Sequence, residues 1–362
     1  MSASKSPFKF LDPYEKEDAE TFFGRNKEVN AIYKLCFETG LLLVYGLSGT
    51  GKTSVIKCGL ANKLEWAAFH IRRGNHILES TELALLQRLE QEGGDWKPWN
   101  PHPPKAENRT AYLLKLAEKL CYHLYVPIYL IFDQFEELFV EGKQKERNTF
   151  FDFVRRAIDS ALPCRILLVM REEFIDSLWD YEKIVPELKD FKYRIEHMAL
   201  QSIQEEVVYK TLEYFEARKE LKADNKATLA EAIVRKLAQM GKNAELAYLQ
   251  ILLDRFYKKE ANHTPEGHPV YLNLDALAGL GNIEDSIKAF LEEQLDALPE
   301  VIEGADRDMA LRILSRFTTS QRTKKALEDS EFEKIRRELD LSAQELDSYL
   351  GFFESRRIIR PV

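Results

Sequence analysis

Short apolar runs of strand length recur through the first half of the chain: Leu41 to Tyr45, Ala67 to Ile71, Ile128 to Phe132, Arg165 to Met170 and, more weakly, Ile195 to Ala199. Runs this short and uninterrupted suit strands buried on both faces. Between them the apolar positions shift to helical spacing, as at Phe150, Phe151, Val154 and Ile158. The alternation predicts an α/β fold, a parallel sheet with helices on both faces. After residue 200 the strands are expected to stop. Val207, Val208, Leu212 and Phe215, then Leu229, Ile233, Leu237 and Met240, then Ile287, Phe290, Leu291, Leu295 and Leu298 all keep helical spacing. Two stretches read as loops, GGDWKPWNPHPP at 93–104 and ANHTPEGHP at 261–269, because their prolines and glycines exclude regular structure.

The first apolar run leads into GLSGTGKT, residues 46–53, and Ser54 to Leu64 can continue as a helix. Gly46, Gly49 and Gly51 let the backbone turn sharply, so that successive amide N–H groups converge on phosphate oxygens at the helix start. Lys52 would reach the β- and γ-phosphates, and the Thr53 hydroxyl would take one Mg²⁺ position. The predicted phosphate cradle is therefore Gly46, Ser48, Gly49, Thr50, Gly51, Lys52, Thr53 and Ser54.

A second chemical stretch, IYLIFDQFEELF at 128–139, ends an apolar run on Asp133. A carboxylate leaving the C-terminal edge of a strand beside a phosphate loop can hold Mg²⁺ through water. Asp133 follows Thr53 by 80 residues, which leaves room for one intervening strand and points to the P-loop branch with a strand added between the two motif strands. Glu136 and Glu137 then become candidates for positioning the attacking water, Glu136 being preferred. The alternative is that both begin a solvated helix, where acids favour the positive end of the dipole. Arg171 closes the next strand in RILLVMREEF, where a guanidinium could sense a γ-phosphate or simply pair with Glu172, Glu173 or another surface acid.

Composition narrows the setting. With 362 residues the chain has length for two or three domains, and its 52 Lys+Arg against 60 Asp+Glu give a net charge of −8, so no overall basic field attracts nucleic acid or anionic membrane. The start, MSASKSPFKF, lacks the apolar run of a signal peptide, and no later stretch has the length to span a bilayer. Cys36, Cys58, Cys121 and Cys164 are scattered without a Cys-x-x-Cys pair, and read as core thiols in a reducing compartment. A cytoplasmic location is expected.

DPYEKEDAETFFGR (12–25), GLSGTGKT, IFDQFEELF, the Arg171 strand, ELAYLQILLDRFY (245–257) and GLGNIEDSIKAFLEEQLDAL (279–298) stand in an order that resembles the novel STAND group of bacterial NTPases. The resemblance implies an ATP-binding module over 1–200, a helical lid over 201–300 and a winged-helix-like domain over 301–362. It implies that Gly24 and Arg25 lie against the base and sugar side of ATP or ADP, with phosphate and metal roles on Lys52, Thr53 and Asp133. It also implies a homo-oligomer in the ATP state, a trigger and an effector. The lid of such proteins usually presents a proline to adenine, where this chain has Ala247, so Tyr248 or Leu249 is left to supply apolar contact or to fill the helix core. The chain ends at SRRIIRPV, about where a winged helix would finish, which implies the switch core of a longer protein or a reduced relative.

Three function classes follow: a regulatory ATP switch that is a weak ATPase, a DNA-associated or mechanical P-loop ATPase, and a small-molecule kinase. The length and the long helical region after the sheet oppose the kinase. Residues 301–362 carry 12 Lys+Arg and 12 Asp+Glu, and the helix that would enter a groove, around Ser342 to Ser355, bears Glu345, Asp347 and Glu354. Its apolar residues Leu346, Leu350, Phe352 and Phe353 suit packing against the lid. An internal regulatory domain is therefore expected in place of a DNA reader, and neither nucleic acid nor membrane is an expected partner. The protein should show no submicromolar affinity for random duplex DNA at physiological salt, and a fluorescence titration across salt concentrations checks this.

Overall fold

The computed structural model describes residues 6–10, 12–64, 67–91, 109–160, 162–239, 246–281, 283–302, 304–317, 327, 329–355 and 358–359. The chain divides into two compact units, residues 1–277 and 278–362.

Five strands form the sheet of the first unit: β1 (Leu41–Gly46), β2 (Ala68–Ile71), β3 (Ile128–Phe132), β4 (Cys164–Arg171) and β5 (Lys192–Arg194). Their spatial order is β2-β3-β4-β1-β5, and every pairing is parallel. The strand between the two motif strands β1 and β3 is thus β4, the one that ends on Arg171. Alternate side chains leave the sheet on opposite faces. Leu41, Leu43, Leu130, Phe132, Ile166 and Leu168 meet the helices Ile77–Gln91, Arg109–Leu124 and Gln144–Asp159. On the other face Leu42, Val44, Ile131, Leu167 and Val169 meet Asn26–Glu38 and the helical stretch from Val55 to Leu64. Burial on both faces explains why the strands read as continuous apolar runs.

Ile195 to Ala199 does not form a strand. The strand lies just upstream at Lys192–Arg194, and because it pairs only with β1 at the sheet edge its outward side chains are polar and carry no apolar run. Ile195 still donates its N–H to the Tyr45 carbonyl at 2.7 Å before the chain leaves for the helices. Those helices include Tyr209–Ala217, Lys226–Ala238 and Leu246–Ala261, with Val208, Leu212, Leu229 and Ile233 buried as the spacing predicts. The region also holds two strands that periodicity misses, β6 (Leu221–Ala223) and β7 (Val270–Leu272), paired in parallel. Three residues each give too little alternation to detect. The predicted loop at 261–269 connects Leu246–Ala261 to β7; the one at 93–104 and Met240 lie outside the described residues.

The described residues of the second unit contain helices and no strand, so a wing is not among them. Leu346, Phe352 and Phe353, expected to pack on the lid, share one core with Leu295 and Leu298 from the end of the stretch predicted as lid and with Ala310, Ile313 and Tyr349, and Leu350 packs against it. Ser342 and Glu345 form a reciprocal cap: the Ser342 N–H donates to the Glu345 carboxylate at 2.8 Å and the Glu345 N–H to Ser342 Oγ at 3.2 Å.

An aromatic cluster closes the first face, with the Phe150 ring 5.0 Å from Phe132, 5.1 Å from Phe135 and 5.4 Å from Phe151. Phe150→Ala should cost about 3–5 kcal/mol of unfolding free energy, read from the urea midpoint, because a fully buried ring leaves a cavity the sheet cannot collapse to fill.

Candidate nucleotide site

The parallel register sets the C-terminal ends of the strands side by side, with Gly46 opposite Arg171 and Phe132 opposite Leu168. Loop 46–53, Asp133, Glu136 and Arg171 therefore meet along one edge. The turn after β3 is stitched to both neighbours: the Asp133 N–H donates to the Ile71 carbonyl and the Phe135 N–H to the Val169 carbonyl, each at 2.9 Å. Between them Gln134 takes φ +57°, and its N–H donates to Asp133 Oδ1 at 3.0 Å.

Lys52 folds over the loop, its ammonium donating to the carbonyls of Gly46 and Leu47, both at 2.8 Å. Burial lowers its pKa, and the charge of Glu136 opposes that effect. Thr53 Oγ1 donates to Asp133 Oδ1 at 3.4 Å. The other oxygen, Asp133 Oδ2, is buried with no hydrogen-bond partner among the described residues. Burial also raises the Asp133 pKa. A desolvated carboxylate oxygen next to a threonine hydroxyl is a donor set that fits Mg²⁺, which takes one or two protein oxygens and completes its shell with water and phosphate. Among the described residues no group of three or more His, Cys, Asp or Glu could hold a metal by itself.

Glu136 and Arg171 hold one another. Arg171 Nε lies 3.1 Å from Glu136 Oε1, and the Arg171 N–H donates to Glu136 Oε2 at 3.2 Å. The two residues read separately from sequence thus form one unit, and the partner of Arg171 is neither Glu172 nor Glu173 (Glu172 instead pairs with Arg194 at 3.0 Å). Glu136 is buried, which raises its pKa against the pull of Arg171. An open cleft of 240 Å³ flanks the loop, lined by Leu47, Thr50, Arg194, Ile195 and His197 among others.

A glycine-rich loop between strand and helix, an acid ending the strand two places away and an arginine ending the strand between them are the parts of a Walker-type nucleotide site. The sequence profile described as novel STAND NTPase 1 matches residues 7–359. The chain belongs to this family of STAND NTPases. No curated protein matches the sequence significantly. Among solved structures, the ADP form of the ORC2 protein of Aeropyrum pernix is similar over 96% of this chain and 87% of that one, at 13% identity and a TM-score of 0.51. The ADPNP–ADP complexes of the same protein match over 92% and 95%, at 13% identity and a TM-score of 0.50. The Walker-type ATPase PABY2304 of Pyrococcus abyssi matches over 96% and 92%, at 16% identity and a TM-score of 0.49. Likeness at such identities concerns the fold, that of P-loop ATPases. Among the described residues no helix is long and apolar enough to cross a membrane.

In this STAND NTPase the Gly24-Arg25 pair sits behind the loop. Arg25 is buried, pairs with Glu28, and donates through Nη2 to the Thr50 carbonyl at 2.8 Å and to the Glu196 carbonyl at 3.1 Å. Ser54 accepts a hydrogen bond from the Tyr14 N–H at 3.2 Å, whereas Ser48 is exposed at the loop tip. Leu249 is fully buried in the helix Leu246–Ala261, and Leu246 Cδ1 would stand 3.6 Å from a Cβ added at Gly51, so the first turn of that helix faces the loop. Gln250 of the same helix accepts from the Lys9 N–H at 3.2 Å and donates to Tyr14 Oη at 3.0 Å. Lys9 and Tyr14 therefore strap this helix to the loop. Sequence reasoning missed the strap, and it missed Arg72, which follows β2 and whose charge opposes the raised pKa values of Asp133 and Glu137. A basic residue directly after a predicted strand is the signal that could have found it.

Burial pushes the Glu137 carboxyl from its ordinary 4.5 up to about 7. A carboxyl whose folded pKa exceeds its unfolded value binds more protons in the folded state, so its contribution is fully present below the unfolded pKa and is lost as pH rises through the folded one. Glu137→Gln should therefore flatten the decline in stability between about pH 4.5 and 7, as measured by thermal unfolding across that range.

Proposed function

We propose that the chain is an ATP/ADP-binding regulatory switch of STAND type, with slow Mg²⁺-dependent hydrolysis controlling a conformational change or oligomerisation in signalling or defence. The observation that carries this reading is the Arg171–Glu136 pair at the phosphate edge. A γ-phosphate offers Arg171 a charge-assisted alternative to Glu136, and ADP does not. With ATP bound, Arg171 turns to the phosphate and frees the Glu136 carboxylate to accept a proton from the attacking water. With ADP the pair persists and Glu136 stays occupied. The two nucleotides thereby favour different arrangements of the same residues, which any switch requires. Slow turnover suits a device that reports which nucleotide it holds.

In this reading Lys52 neutralises the β- and γ-phosphates, for which its desolvated ammonium is suited, while Thr53 and Asp133 hold the metal. Bound Mg²⁺ supplies charge neutralisation between the phosphates and a template for in-line attack. The helices after residue 200 are the moving element, tied to the loop through Gln250 and Tyr14. A trigger and an effector, on this chain or on partners, complete the device.

Lys52→Ala should lose nucleotide affinity in calorimetry while keeping the melting curve of the wild type; equal affinity would sink the reading. Glu136→Gln should keep MgATP bound and lower turnover by about 10²–10⁴-fold, measured as phosphate release, because an amide keeps the shape and loses the proton-accepting charge. Light scattering and small-angle scattering should find Glu136→Gln with ATP open or oligomeric and wild type with ADP closed and monomeric. Arg171→Ala should narrow that difference while leaving ADP affinity largely intact.

A further inference from the structure

The motif pair Gly24-Arg25 touches two backbone segments that the nucleotide reading treats separately. Both hydrogens of one terminal nitrogen of Arg25 are used: Nη2 donates to the carbonyl of Thr50, inside the glycine-rich loop, and to the carbonyl of Glu196, in the connection from β5 to the helices after residue 200. The guanidinium is 3% exposed, and Glu28 pairs with its other terminal nitrogen. A peptide unit is planar, and the described chain has no cis bond, so the carbonyl of Thr50 and the N–H of Gly51 point in opposite directions. By fixing that carbonyl, Arg25 aims the Gly51 N–H away from itself.

The surroundings leave this bracket little slack. A Cβ on Gly46 would stand 2.2 Å from the Ile195 carbonyl, so the loop and the connection already touch. Gly24 has φ +83°, and a Cβ there would lie 2.7 Å from Val207 Cγ2 and 3.1 Å from Met198 Cε. Val207 belongs to the first helical stretch beyond the connection. A shift of the loop backbone on one side of Arg25 cannot leave the connection on the other side unmoved.

We propose that Arg25 is a positioning residue that orients the Gly51 peptide and, through the same nitrogen, links the loop to the connection 195–199, so that filling the loop tightens that connection. This rests on the reading that the loop binds nucleotide. Lysine at this position keeps the charge that pairs with Glu28 but lacks the planar fork that divides two hydrogens between two carbonyls.

The test uses the full chain as wild type, Arg25→Lys and Glu28→Gln. Amide hydrogen exchange over residues 195–208 is followed with and without saturating MgADP, and calorimetry on the same samples reports binding. In the wild type MgADP should slow exchange in this segment by about fivefold or more, the lower end of typical coupling between sites. Glu28→Gln, which keeps both carbonyl bonds, should transmit equally. Arg25→Lys should still bind MgADP while the slowing falls below about twofold. Arg25→Lys slowing the segment as the wild type does would overturn the proposal, and so would a wild type that binds MgADP with the segment unaltered. The wild-type comparison can overturn it even if Arg25→Lys does not fold. A wild type that binds no MgADP would instead defeat the nucleotide reading on which the proposal stands.

Discussion

A sheet covered on both faces has room for charge only where its strands end. Leu41 to Val44, Ile128 to Phe132 and Ile166 to Met170 are packed by helices on one side or the other, and Lys52, Asp133, Glu136 and Arg171 stand beyond them at the C-terminal edge. The parallel order then sets those ends in a row. The core and the candidate site are thus two results of one packing solution, since a one-residue slip in β4 would exchange the side chains it presents to the two helix layers and also carry Arg171 away from Glu136.

The same edge concentrates electrostatic tension. Lys52, Asp133, Glu136 and Glu137 are all drawn toward their neutral forms by burial, and each is only partly answered by neighbours: Glu136 for Lys52, Arg72 for Asp133 and Glu137, Arg171 for Glu136. Asp133 Oδ2 and Glu137 Oε2 find no hydrogen-bond partner among the described residues. Unsatisfied buried groups are costly in a resting core and useful where a polyanion with a divalent cation can satisfy several at once.

How far the sequence disclosed this depends on where each signal resides. The loop 46–53 and Asp133 were legible because their chemistry is local: a strand, a turn and a helix start within a few residues. The three central strands were legible because burial on both faces leaves an uninterrupted apolar run. β5 was misplaced because an edge strand shows polar side chains outward, and β6 and β7 are too short to display a period. The apolar face of Ala343–Ser355 meets Leu295 and Leu298 at the end of the stretch predicted as lid, as expected, and also Ala310 and Ile313, which periodicity does not reveal because it says that a face is covered and not by what. Glu136 and Arg171 were each identified, yet their pairing was invisible across 35 residues of chain. The role of Arg25 was hidden for a deeper reason: its partners are backbone carbonyls, and a carbonyl has no letter in the sequence.

The strap over the loop gives the protein an order of completion. The Lys9 N–H donates to Gln250 and Tyr14 Oη accepts from it, across 241 and 236 residues of chain. At ribosomal speeds of about 5–20 residues per second, the partner emerges roughly 12–50 seconds after the strap. During that interval Phe8 still lacks the rings of Phe215 and Tyr257 between which it later packs, the second of them until the interval has passed. A segment made well before its partner helix is therefore among the last of the first unit to be satisfied, and the nascent chain carries its phosphate loop unstrapped until nearly the whole of that unit has been made.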